Sequence, residues 1–254
     1  MDLSGKVVIV TGGAKGIGEG CVNNLLEAKA TVVVFDLDDQ FKNKDLVTTY
    51  KLDLTKEADV KKAVDSVVAK FGRIDGLINC AGIQTYGSII DTTEEIWDKT
   101  FNVNVKSMFF TAKHVAPTMI KQRSGSIVNI SSVQSTNSQK TVVAYAASKG
   151  AINTLTRASA LDLAEFNIRV NAILPGSVDT PMLRASAEMH RGDKTVDDVL
   201  VDWGKGHPLG RIAMPKEIGD LATYLVSDHS TFITGSAIVI DGGLTVQVPV
   251  VLPE

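Results

Sequence analysis

KVVIVTGGAKGIG, Lys6 to Gly18, joins a short apolar run rich in β-branched residues to a glycine-rich turn. A helical pattern follows through Leu25 and Leu26. A strand, a glycine turn and a helix in this order place backbone N–H groups at a helix N-terminus, where they can face a pyrophosphate. A glycine-rich turn also occurs as plain structure, but the flanking strand and helix favour a cofactor site. The stretch therefore predicts the start of a dinucleotide-binding α/β fold.

Three glycines of the turn, Gly12, Gly16 and Gly18, are the functional ones in this interpretation. Their spacing is G-x-x-x-G-x-G, which differs from the commoner G-x-G-x-x-G fingerprint. Lys15 and Ile17 lie inside the same turn and are predicted to contact the cofactor with them.

A carboxylate ends the second apolar run, TVVVF from Thr31 to Phe35, about twenty residues beyond the glycines. Asp36 at this position can accept hydrogen bonds from both ribose hydroxyls of an adenosine and would repel a 2′-phosphate. It predicts NAD, with NADP less favoured. Lys15 points to the opposite preference, because its positive charge could attract a 2′-phosphate. Asp36 is given more weight, because placing a phosphate beside a fixed carboxylate costs several kcal/mol.

Further runs of strand length alternate with helical patterns along the whole chain. Polar or small residues follow each run directly, and they include Asp53-Leu54, Asn79 to Gly82, and Pro175-Gly176. This alternation predicts a doubly wound parallel sheet of about seven strands, with helices on both faces and ligands gathered at the carboxyl ends of the strands. The predicted strands start near Lys6, Thr31, Thr48, Ile74, Ser126, Ile168 and Ser236.

Two side chains that can move protons lie four residues apart, Tyr145 and Lys149. On a helix they share one face, so a phenol and an ammonium occupy one small volume. Such pairs also arise by chance, and the surrounding pattern has to support a catalytic role. Asn104, inside a predicted helix from Glu94 to Gln122, is either a buried structural residue or part of a polar site.

Composition excludes several classes of partner. The 254 residues carry a formal net charge of −3 and no basic cluster interleaved with aromatic residues, which argues against nucleic acid and anionic membranes. No apolar run reaches the length of a membrane span.

The two cysteines, Cys21 and Cys80, do not have the spacing of a disulfide or metal pair. Together with the absence of a secretory signal, this predicts a cytoplasmic protein. The four histidines show no metal-ligand spacing. The length predicts one domain over residues 1–254.

Two segments stand out from this pattern. Residues 183–207 are rich in charge, with Met189 and Trp203 interspersed, and are predicted to form a substrate lid rather than an ordinary surface excursion. The apolar tail, residues 246–254, is expected to pack on something, and a neighbouring subunit near a substrate pocket is the predicted place.

Taken together, TGGAKGIG, Asp36, Asn-Cys-Ala-Gly at 79–82, Asn104, Ser132, Tyr145-x-x-x-Lys149 and Pro175-Gly176 resemble the short-chain dehydrogenase/reductase family, in its branch of about 250 residues. The resemblance covers essentially the whole chain, in order. Cys80 stands where the family commonly has a second asparagine, and Ser107 where it commonly has a glycine. Neither departure removes a reacting group.

The resemblance implies roles for individual residues. The catalytic four would be Asn104, Ser132, Tyr145 and Lys149, with Ser132 thirteen residues before the tyrosine. Tyr145 would exchange the proton of the alcohol, Ser132 would bind the reacting oxygen, and Asn104 would hold a water that relays protons to Lys149. The cofactor residues would be Gly12, Lys15, Gly16, Ile17, Gly18, Asp36, Asp53, Leu54, Asn79, Ala81, Gly82, Tyr145, Lys149, Pro175, Gly176, Val178 and Thr180.

The predicted function is NAD-dependent hydride transfer with a secondary alcohol, which is a sugar, a polyol or a small cyclic alcohol by similarity of pattern. The alternative is reduction of a 3-oxoacyl thioester or a steroid ketone. Such long apolar substrates would require a more hydrophobic lid than the predicted one, which carries five charged residues: Glu188, Arg191, Asp193, Lys194 and Asp197. A remote alternative is a non-catalytic nucleotide-sensing scaffold, which would be expected to have lost Tyr145, Lys149 or Ser132. The resemblance further implies a homotetramer.

Overall fold

The computed structural model describes residues 1–39 and 42–247, and its centre is a parallel sheet of seven strands. The strands lie in the order β3-β2-β1-β4-β5-β6-β7, and each neighbouring pair is parallel. This confirms the predicted doubly wound α/β fold. The strands are Val7–Thr11 (β1), Thr31–Asp36 (β2), Thr48–Lys51 (β3), Gly76–Asn79 (β4), Gly125–Ile130 (β5), Ile168–Pro175 (β6) and Ala237–Ile240 (β7).

The described residues form eight α-helices around this sheet. Pro215 opens the last of them at its first position, where the N–H that proline lacks would be unpaired in any case. The helices are Gly16–Glu27 (α1), Glu57–Phe71 (α2), Glu94–Phe101 (α3), Ser107–Gln122 (α4), Val143–Ala164 (α5), Pro181–His190 (α6), Val196–Lys205 (α7) and Pro215–Val226 (α8).

Strand β1 shows why the sheet needs helices on both faces. All five of its residues are buried. Val8 and Val10 belong to one hydrophobic core with residues of α1 and α8, whereas Val7 and Ile9 belong to a second core with residues of α2 and α4. A strand alternates its side chains between the two faces, so a continuous apolar run can be satisfied only when both faces are covered.

The helix predicted from Glu94 to Gln122 is interrupted, which corrects the prediction. Residues Asn102–Lys106 form a π-helical turn between α3 and α4. A wider turn of this kind changes the direction in which a side chain leaves the helix, and such turns are frequent at functional sites. Here the turn carries Asn104, which is fully buried.

The segment predicted to be a lid is itself helical. It contains most of α6 and all of α7, and a capping box at Thr195 starts α7: its hydroxyl accepts the N–H of Asp198, whose carboxylate accepts the N–H of Thr195. Of the predicted tail only Val246 and Gln247 lie within the described residues. Gln247 donates to the carbonyl oxygen of Gly206 at 2.7 Å, and packing of the tail on a neighbouring subunit stays a prediction.

The parallel order brings the carboxyl ends of all seven strands to one edge of the sheet. Thr11, Asp36 and Asn79 end β1, β2 and β4 at this edge. No helix in residues 1–39 and 42–247 is long and apolar enough to cross a membrane. Within the same ranges there is also no group of three or more His, Cys, Asp or Glu side chains that could hold a metal ion.

Candidate active site

Two connected depressions lie at the carboxyl edge of the sheet. The first, here called the glycine-turn groove, has a volume of about 500 Å³ and runs from Gly12 and Asp36 to Lys149. The second, here called the helix-lined cavity, has a volume of about 840 Å³ and lies between Ser132 and the helices α6 and α7. Tyr145 lines both. A molecule bound in the groove and a molecule bound in the cavity would therefore both border Tyr145.

The glycines of the turn are required by close backbone contacts. Gly12 has a positive φ of 66°, and a Cβ at this position would come within 2.7 Å of the Cα of Ala81. A Cβ on Gly18 would overlap the carbonyl oxygen of Gly12. Gly18 therefore lies beneath the turn and does not line the groove, while Gly12 and Gly16 do. The N-terminus of α1 at Gly16 opens into the groove, so its free N–H groups suit an anion.

Asp36 is held rigidly at the end of β2. One carboxylate oxygen accepts the N–H of Ala14 at 3.0 Å, and the other accepts the N–H of Asp38 at 3.0 Å. The carboxylate lines the groove, and so does Lys15, the N-cap residue of α1. The charges that gave opposite indications about the cofactor are thus both present at the groove.

Asp53 shapes the turn between β3 and α2. Its carboxylate accepts hydrogen bonds from the backbone N–H and the hydroxyl of Thr55, at 2.9 and 2.7 Å. The bond from the Thr55 hydroxyl is the main reason that the pKa of Asp53 is lowered. The N-cap of α2 is Lys56, so Asp53 is not itself the cap. Asp53 and Leu54 both line the groove.

Asn79 is placed differently from the other predicted cofactor residues. Its side chain is 1% exposed and does not line the groove. The amide donates to Asn129 at 2.9 Å and accepts from the hydroxyl of Thr111 at 2.6 Å, and Asn129 donates onward to Thr156 at 2.9 Å. These bonds tie β4 and β5 to α4 and α5 below the site. The side chain of Asn79 therefore hydrogen-bonds other residues of the protein and does not face the groove.

Thr11 fixes the loop that does reach the groove. Its hydroxyl oxygen accepts the N–H groups of Cys80 and Ala81 at 3.1 and 3.2 Å. Cys80, Ala81 and Gly82 line the groove. Sequence reasoning did not single out Thr11, although a polar residue directly after a buried strand was a signal that could have found it.

Tyr145 and Ser132 lie together at the junction of the groove and the cavity, each 8% exposed. Burial raises the pKa of Tyr145 to about 12, the nearby Ser132 hydroxyl opposes that rise, and nearby Tyr86 adds to it. Ser132 also accepts the backbone N–H of Gln134 at 3.1 Å, which fixes its rotamer. The serine and the phenol can thus contact one and the same reacting atom.

Lys149 is buried as well, at 6% exposure. Its Nζ donates to the carbonyl oxygen of Ile130 at 2.9 Å and lies 5.5 Å from the centroid of the Tyr145 ring. Burial lowers the pKa of Lys149 to about 8, and the neighbouring Cys80 opposes that shift. The ammonium is held close to the phenol. Because it is buried, its charged form is disfavoured when no ligand is bound.

The side chain of Asn104 is hydrogen-bonded to the backbone of Ile83 and to the Ser148 hydroxyl. Its amide oxygen accepts the N–H of Ile83 at 2.8 Å, and its amide nitrogen donates to the carbonyl of Ile83 at 2.9 Å and to the Ser148 hydroxyl at 3.0 Å. Both N–H bonds are used, so one lone pair on the oxygen is what Asn104 can still offer. Its predicted role in holding a water stays a prediction.

The segment after β6 crosses from the cavity to the groove. Val178 bridges to Ala213, and the hydroxyl of Thr180 accepts the N–H of Leu183 as the N-cap of α6. A Cβ on Gly16 would lie 3.3 Å from the side chain of Thr180, so this segment passes directly over the glycine turn. Pro175, Gly176 and Val178 line the cavity, and Thr180 lines both depressions.

Helix α6 is tied across the cavity by Tyr86. The Tyr86 hydroxyl donates to Ser186 at 2.5 Å and accepts from the Gln84 amide at 3.1 Å, and its ring lies 5.6 Å from that of His190. All four side chains line the cavity. Sequence reasoning missed them because nothing in local spacing connects residues that are a hundred positions apart.

Comparisons with known proteins identify the family. The sequence model of a family described as enoyl-(acyl carrier protein) reductase matches residues 12–245. The 3-oxoacyl-(acyl-carrier-protein) reductase of Thermotoga maritima is 39% identical over an alignment of 255 residues, covering 97% of this chain and 100% of that protein. The cyclopentanol dehydrogenase of Comamonas sp. is 36% identical over 252 residues, covering 96% and 98%.

This chain belongs to the short-chain dehydrogenase/reductase family. Among solved structures it is similar to the aldohexose dehydrogenase of Thermoplasma acidophilum in its ligand-free form, with a TM-score of 0.94 and 35% identity over 99% of this chain and 98% of that one. As a family member it is an oxidoreductase, and membership implies a nicotinamide cofactor. The names of its relatives differ in substrate.

The groove fits the dinucleotide that the short-chain dehydrogenase/reductase family implies. Its walls combine the N-terminus of α1, glycines that leave no room for a Cβ, and the fixed carboxylate of Asp36. Most of the predicted cofactor residues line it, whereas Gly18 and Asn79 lie beneath it and Pro175, Gly176 and Val178 face the cavity. Those lining the groove are Gly12, Lys15, Gly16, Ile17, Asp36, Asp53, Leu54, Ala81, Gly82, Tyr145, Lys149 and Thr180.

Proposed function

We propose that the protein oxidises a secondary alcohol, namely a sugar, a polyol or a small cyclic alcohol, with NAD as the hydride acceptor. The observation that carries this proposal is the position of Tyr145, which lines both the groove suited to a dinucleotide and the separate cavity suited to a substrate. Ser132 and Lys149 lie beside it. We further propose that residues 1–254 act as one catalytic domain, with residues 183–207 as its lid.

In this proposal Tyr145 removes the hydroxyl proton of the alcohol. With a pKa of about 12 its phenolate is scarce near neutral pH, so the phenol needs positive charge nearby. The Lys149 ammonium supplies part of that charge, and Ser132 donates a hydrogen bond to the reacting oxygen. When bound, oxidised nicotinamide accepts the hydride and contributes its own positive charge. In the reverse direction Tyr145 returns the proton to a carbonyl oxygen.

The NAD preference rests on Asp36. Because two backbone N–H groups hold its carboxylate, it cannot turn away from a 2′-phosphate without losing both hydrogen bonds. Lys15, at the same groove, would have to stand between that phosphate and Asp36 to neutralise the repulsion.

The charged residues of the segment 183–207 that were expected to face a substrate lie outside the cavity. None of the five charged residues that spoke against an apolar substrate lines the cavity. Arg191 pairs with Glu188, Lys194 pairs with Asp202, and Asp197 pairs with Arg184. The five charges therefore do not contact a substrate in the cavity, although Asp202, the partner of Lys194, does line it. A second candidate therefore stands, reduction of a 3-oxoacyl thioester or a steroid ketone, and the Thermotoga maritima relative favours the thioester.

We also propose a cytoplasmic homotetramer. Support comes from large apolar side chains left exposed on α4 and α5, with Phe109 at 46% and Leu161 at 81% exposure. The helices that carry Asn104 and Tyr145 would then pack on their copies.

The deciding experiment is steady-state oxidation and reduction by the purified protein with both dinucleotides. The panel should contain sugars, polyols, cyclic alcohols, hydroxysteroids and a 3-oxoacyl thioester. Oxidation of an alcohol from the first three classes with NAD supports the proposal. A higher kcat/KM with the thioester or the steroid would replace it with the second candidate. Cofactor binding without any turnover would favour a nucleotide-sensing scaffold.

A further inference from the structure

The ring of His207 lies in the wall of the helix-lined cavity, where the residue is 3% exposed. We propose that Nε2 of this ring binds a second hydroxyl group of the substrate, two or three carbons away from the carbon that is oxidised. The preferred substrate is then a sugar or polyol and not a monohydric alcohol. The inference rests on the proposed alcohol oxidation at Tyr145 and narrows its substrate class.

The orientation of the His207 ring is fixed by the protein. Nδ1 lies 2.5 Å from the carbonyl oxygen of Asp241. A carbonyl oxygen only accepts, so Nδ1 carries the proton and Nε2 of the neutral ring is an acceptor. Asp241 is itself held in place, because its carboxylate accepts the N–H groups of Gly243 and Thr245 at 2.9 and 2.8 Å. On the other side the ring packs against Gly176, where a Cβ would come within 2.8 Å of Cε1.

The nitrogen Nε2 of His207 is free and is open to the cavity. It has no hydrogen-bond partner within residues 1–39 and 42–247. In the same ranges the unpartnered side-chain atoms that are completely covered belong to other residues, namely Asn24, Thr49, Gln134, Asn153 and Thr223. Nε2 therefore keeps accessible surface, and the space that the ring lines is the cavity. A ligand there can reach this acceptor and supply the donor that it lacks.

The position of His207 along the sheet edge sets the distance to the reacting atoms. Lys149 is bonded to the carbonyl of Ile130, which ends β5, whereas His207 lies at Gly176 and Asp241, directly after β6 and β7. Neighbouring strands are about 5 Å apart, so one to two strand spacings, about 5 to 10 Å, separate His207 from the reacting position. A hydrogen bond takes up about 3 Å of this separation. The remainder is best spanned by a hydroxyl two or three carbons from the reacting carbon.

This arrangement discriminates among the substrate classes proposed above. The cavity volume of about 840 Å³ lies in the upper half of the range of ligand pockets, about 300 to 1,000 Å³, so a small ring bound at Tyr145 leaves room beside it. A monohydric alcohol has no donor left for Nε2 once its hydroxyl is bound at Tyr145. A 3-oxoacyl thioester carries acceptors around its reacting carbonyl. Sugars and polyols carry hydroxyl groups at several distances, and these can donate to Nε2.

Three variants separate binding of a substrate hydroxyl from support of the fold. His207→Asn keeps an N–H where Nδ1 stands, for the carbonyl of Asp241, and has no atom where Nε2 stands. His207→Gln gives up that N–H and places an amide near the position of Nε2. His229→Asn is the matched control, because His229 is exposed on the turn after α8 and lines neither depression.

The test measures kcat and KM for cyclohexanol and for the isomers of 1,2-, 1,3- and 1,4-cyclohexanediol, with the dinucleotide that the protein prefers. The wild type is expected to favour a 1,3- or 1,4-diol over cyclohexanol by about tenfold or more in kcat/KM. His207→Asn should lower kcat/KM for that diol by about tenfold, mainly through KM, and for cyclohexanol by less than about twofold. His207→Gln should keep most of the preference, and His229→Asn should change neither value.

Equal efficiency of the wild type with cyclohexanol and all the diols overturns the inference and leaves the proposed alcohol oxidation intact. A preference confined to a 1,2-diol contradicts the distance, and an equal loss on all substrates in His207→Asn shows that His207 does not select a hydroxyl. If His207→Asn does not fold, retention of the preference in His207→Gln and its loss in His207→Met give the same decision.

A protein that oxidises sugars but none of these cyclohexane derivatives is tested with deoxy analogues of its best sugar. Removal of one remote hydroxyl should then lower kcat/KM of the wild type by about tenfold and that of His207→Asn by less than about twofold. Equal losses in both proteins would overturn the inference. Turnover of no alcohol with either dinucleotide would reject the proposed function itself.

Discussion

The ammonium of Lys149 lies 5.5 Å from the centre of the Tyr145 ring, and both side chains are more than nine-tenths buried. Burial acts on the two groups in opposite directions. It raises the pKa of Tyr145 to about 12 and lowers that of Lys149 to about 8, because each is pushed toward its neutral form. The protein alone thus disfavours the phenolate and ammonium that the proposed chemistry uses, and an added positive charge in the groove would favour the phenolate.

Replacement of Tyr145 by Phe is expected to reduce kcat by about 10² to 10⁴-fold, since the group that exchanges the proton is lost. Dinucleotide binding, measured by fluorescence titration, should stay within about threefold of the wild type because the groove keeps its other walls. Tyr224→Phe is the control, as Tyr224 lies on α8 and lines neither depression. Near-normal turnover of the Tyr145 variant would refute the mechanism.

Lys149→Met is expected to remove a pH dependence of stability. The ordinary pKa of a lysine is 10.5, and its folded value here is about 8. The unfolded chain therefore binds more protons between these values, so the free energy of unfolding should rise with pH across that window. From pH 7 to about pH 9.5 the rise due to Lys149 should be about 2 kcal/mol.

Urea unfolding of the wild type and Lys149→Met at several pH values measures this difference. The variant should lack the rise even if its stability is shifted by a constant amount through loss of the bond to the Ile130 carbonyl. Lys106→Met, on the π turn, is the control and should keep the rise. Parallel curves for the wild type and Lys149→Met would show that burial does not lower the pKa of Lys149.

Asp36→Asn should shift the cofactor preference toward NADP. The amide oxygen can still accept the N–H of Ala14, but the negative charge that repels a 2′-phosphate is gone. We expect the kcat/KM ratio of NAD to NADP to fall about tenfold or more. Asp45→Asn, exposed on the loop after β2, should leave the ratio unchanged. A wild-type ratio already in favour of NADP would contradict the role given to Asp36.

Gly18→Ala should destabilise the protein by about 3 kcal/mol, because the new Cβ would overlap the Gly12 carbonyl and force the turn open. Gly150→Ala is a matched helical glycine whose Cβ would meet one atom, at 3.8 Å. It should stabilise the protein by about 0.5 to 1 kcal/mol through helix propensity. Thermal unfolding of both variants checks the prediction, and an equal effect of the two substitutions would contradict it.

Asn104→Leu should cost about 2 to 4 kcal/mol of stability, since it leaves the N–H and the carbonyl of Ile83 without their partner. Asn102→Leu, in the same π turn but partly exposed, should cost less than about 1 kcal/mol. Chemical unfolding distinguishes the two. An Asn104 variant of normal stability with impaired turnover would instead support the water-holding role.

The sequence determined the alternation of strands and helices because each buried strand is recognisable locally, as a short run of apolar residues. Val7 to Val10 are apolar at every position, and a strand of that kind needs helices on both faces wherever it lies in the sheet. Likewise, the spacing of Tyr145 and Lys149 fixes a shared helix face from local geometry alone. The residues after each strand could be predicted to gather because all strands of a parallel sheet end at one edge.

Tertiary structure decided what depends on contacts between distant segments. The sequence could not separate Asn79, which is bonded to Asn129 and Thr111 beneath the groove, from Ala81, which lines it. The charges of residues 183–207 were visible in the sequence, but their pairing with one another depends on how α6 and α7 pack. The amide oxygen of Gln134 is buried without a hydrogen-bond partner in the described residues, which the sequence could not show because that depends on every segment folded against it.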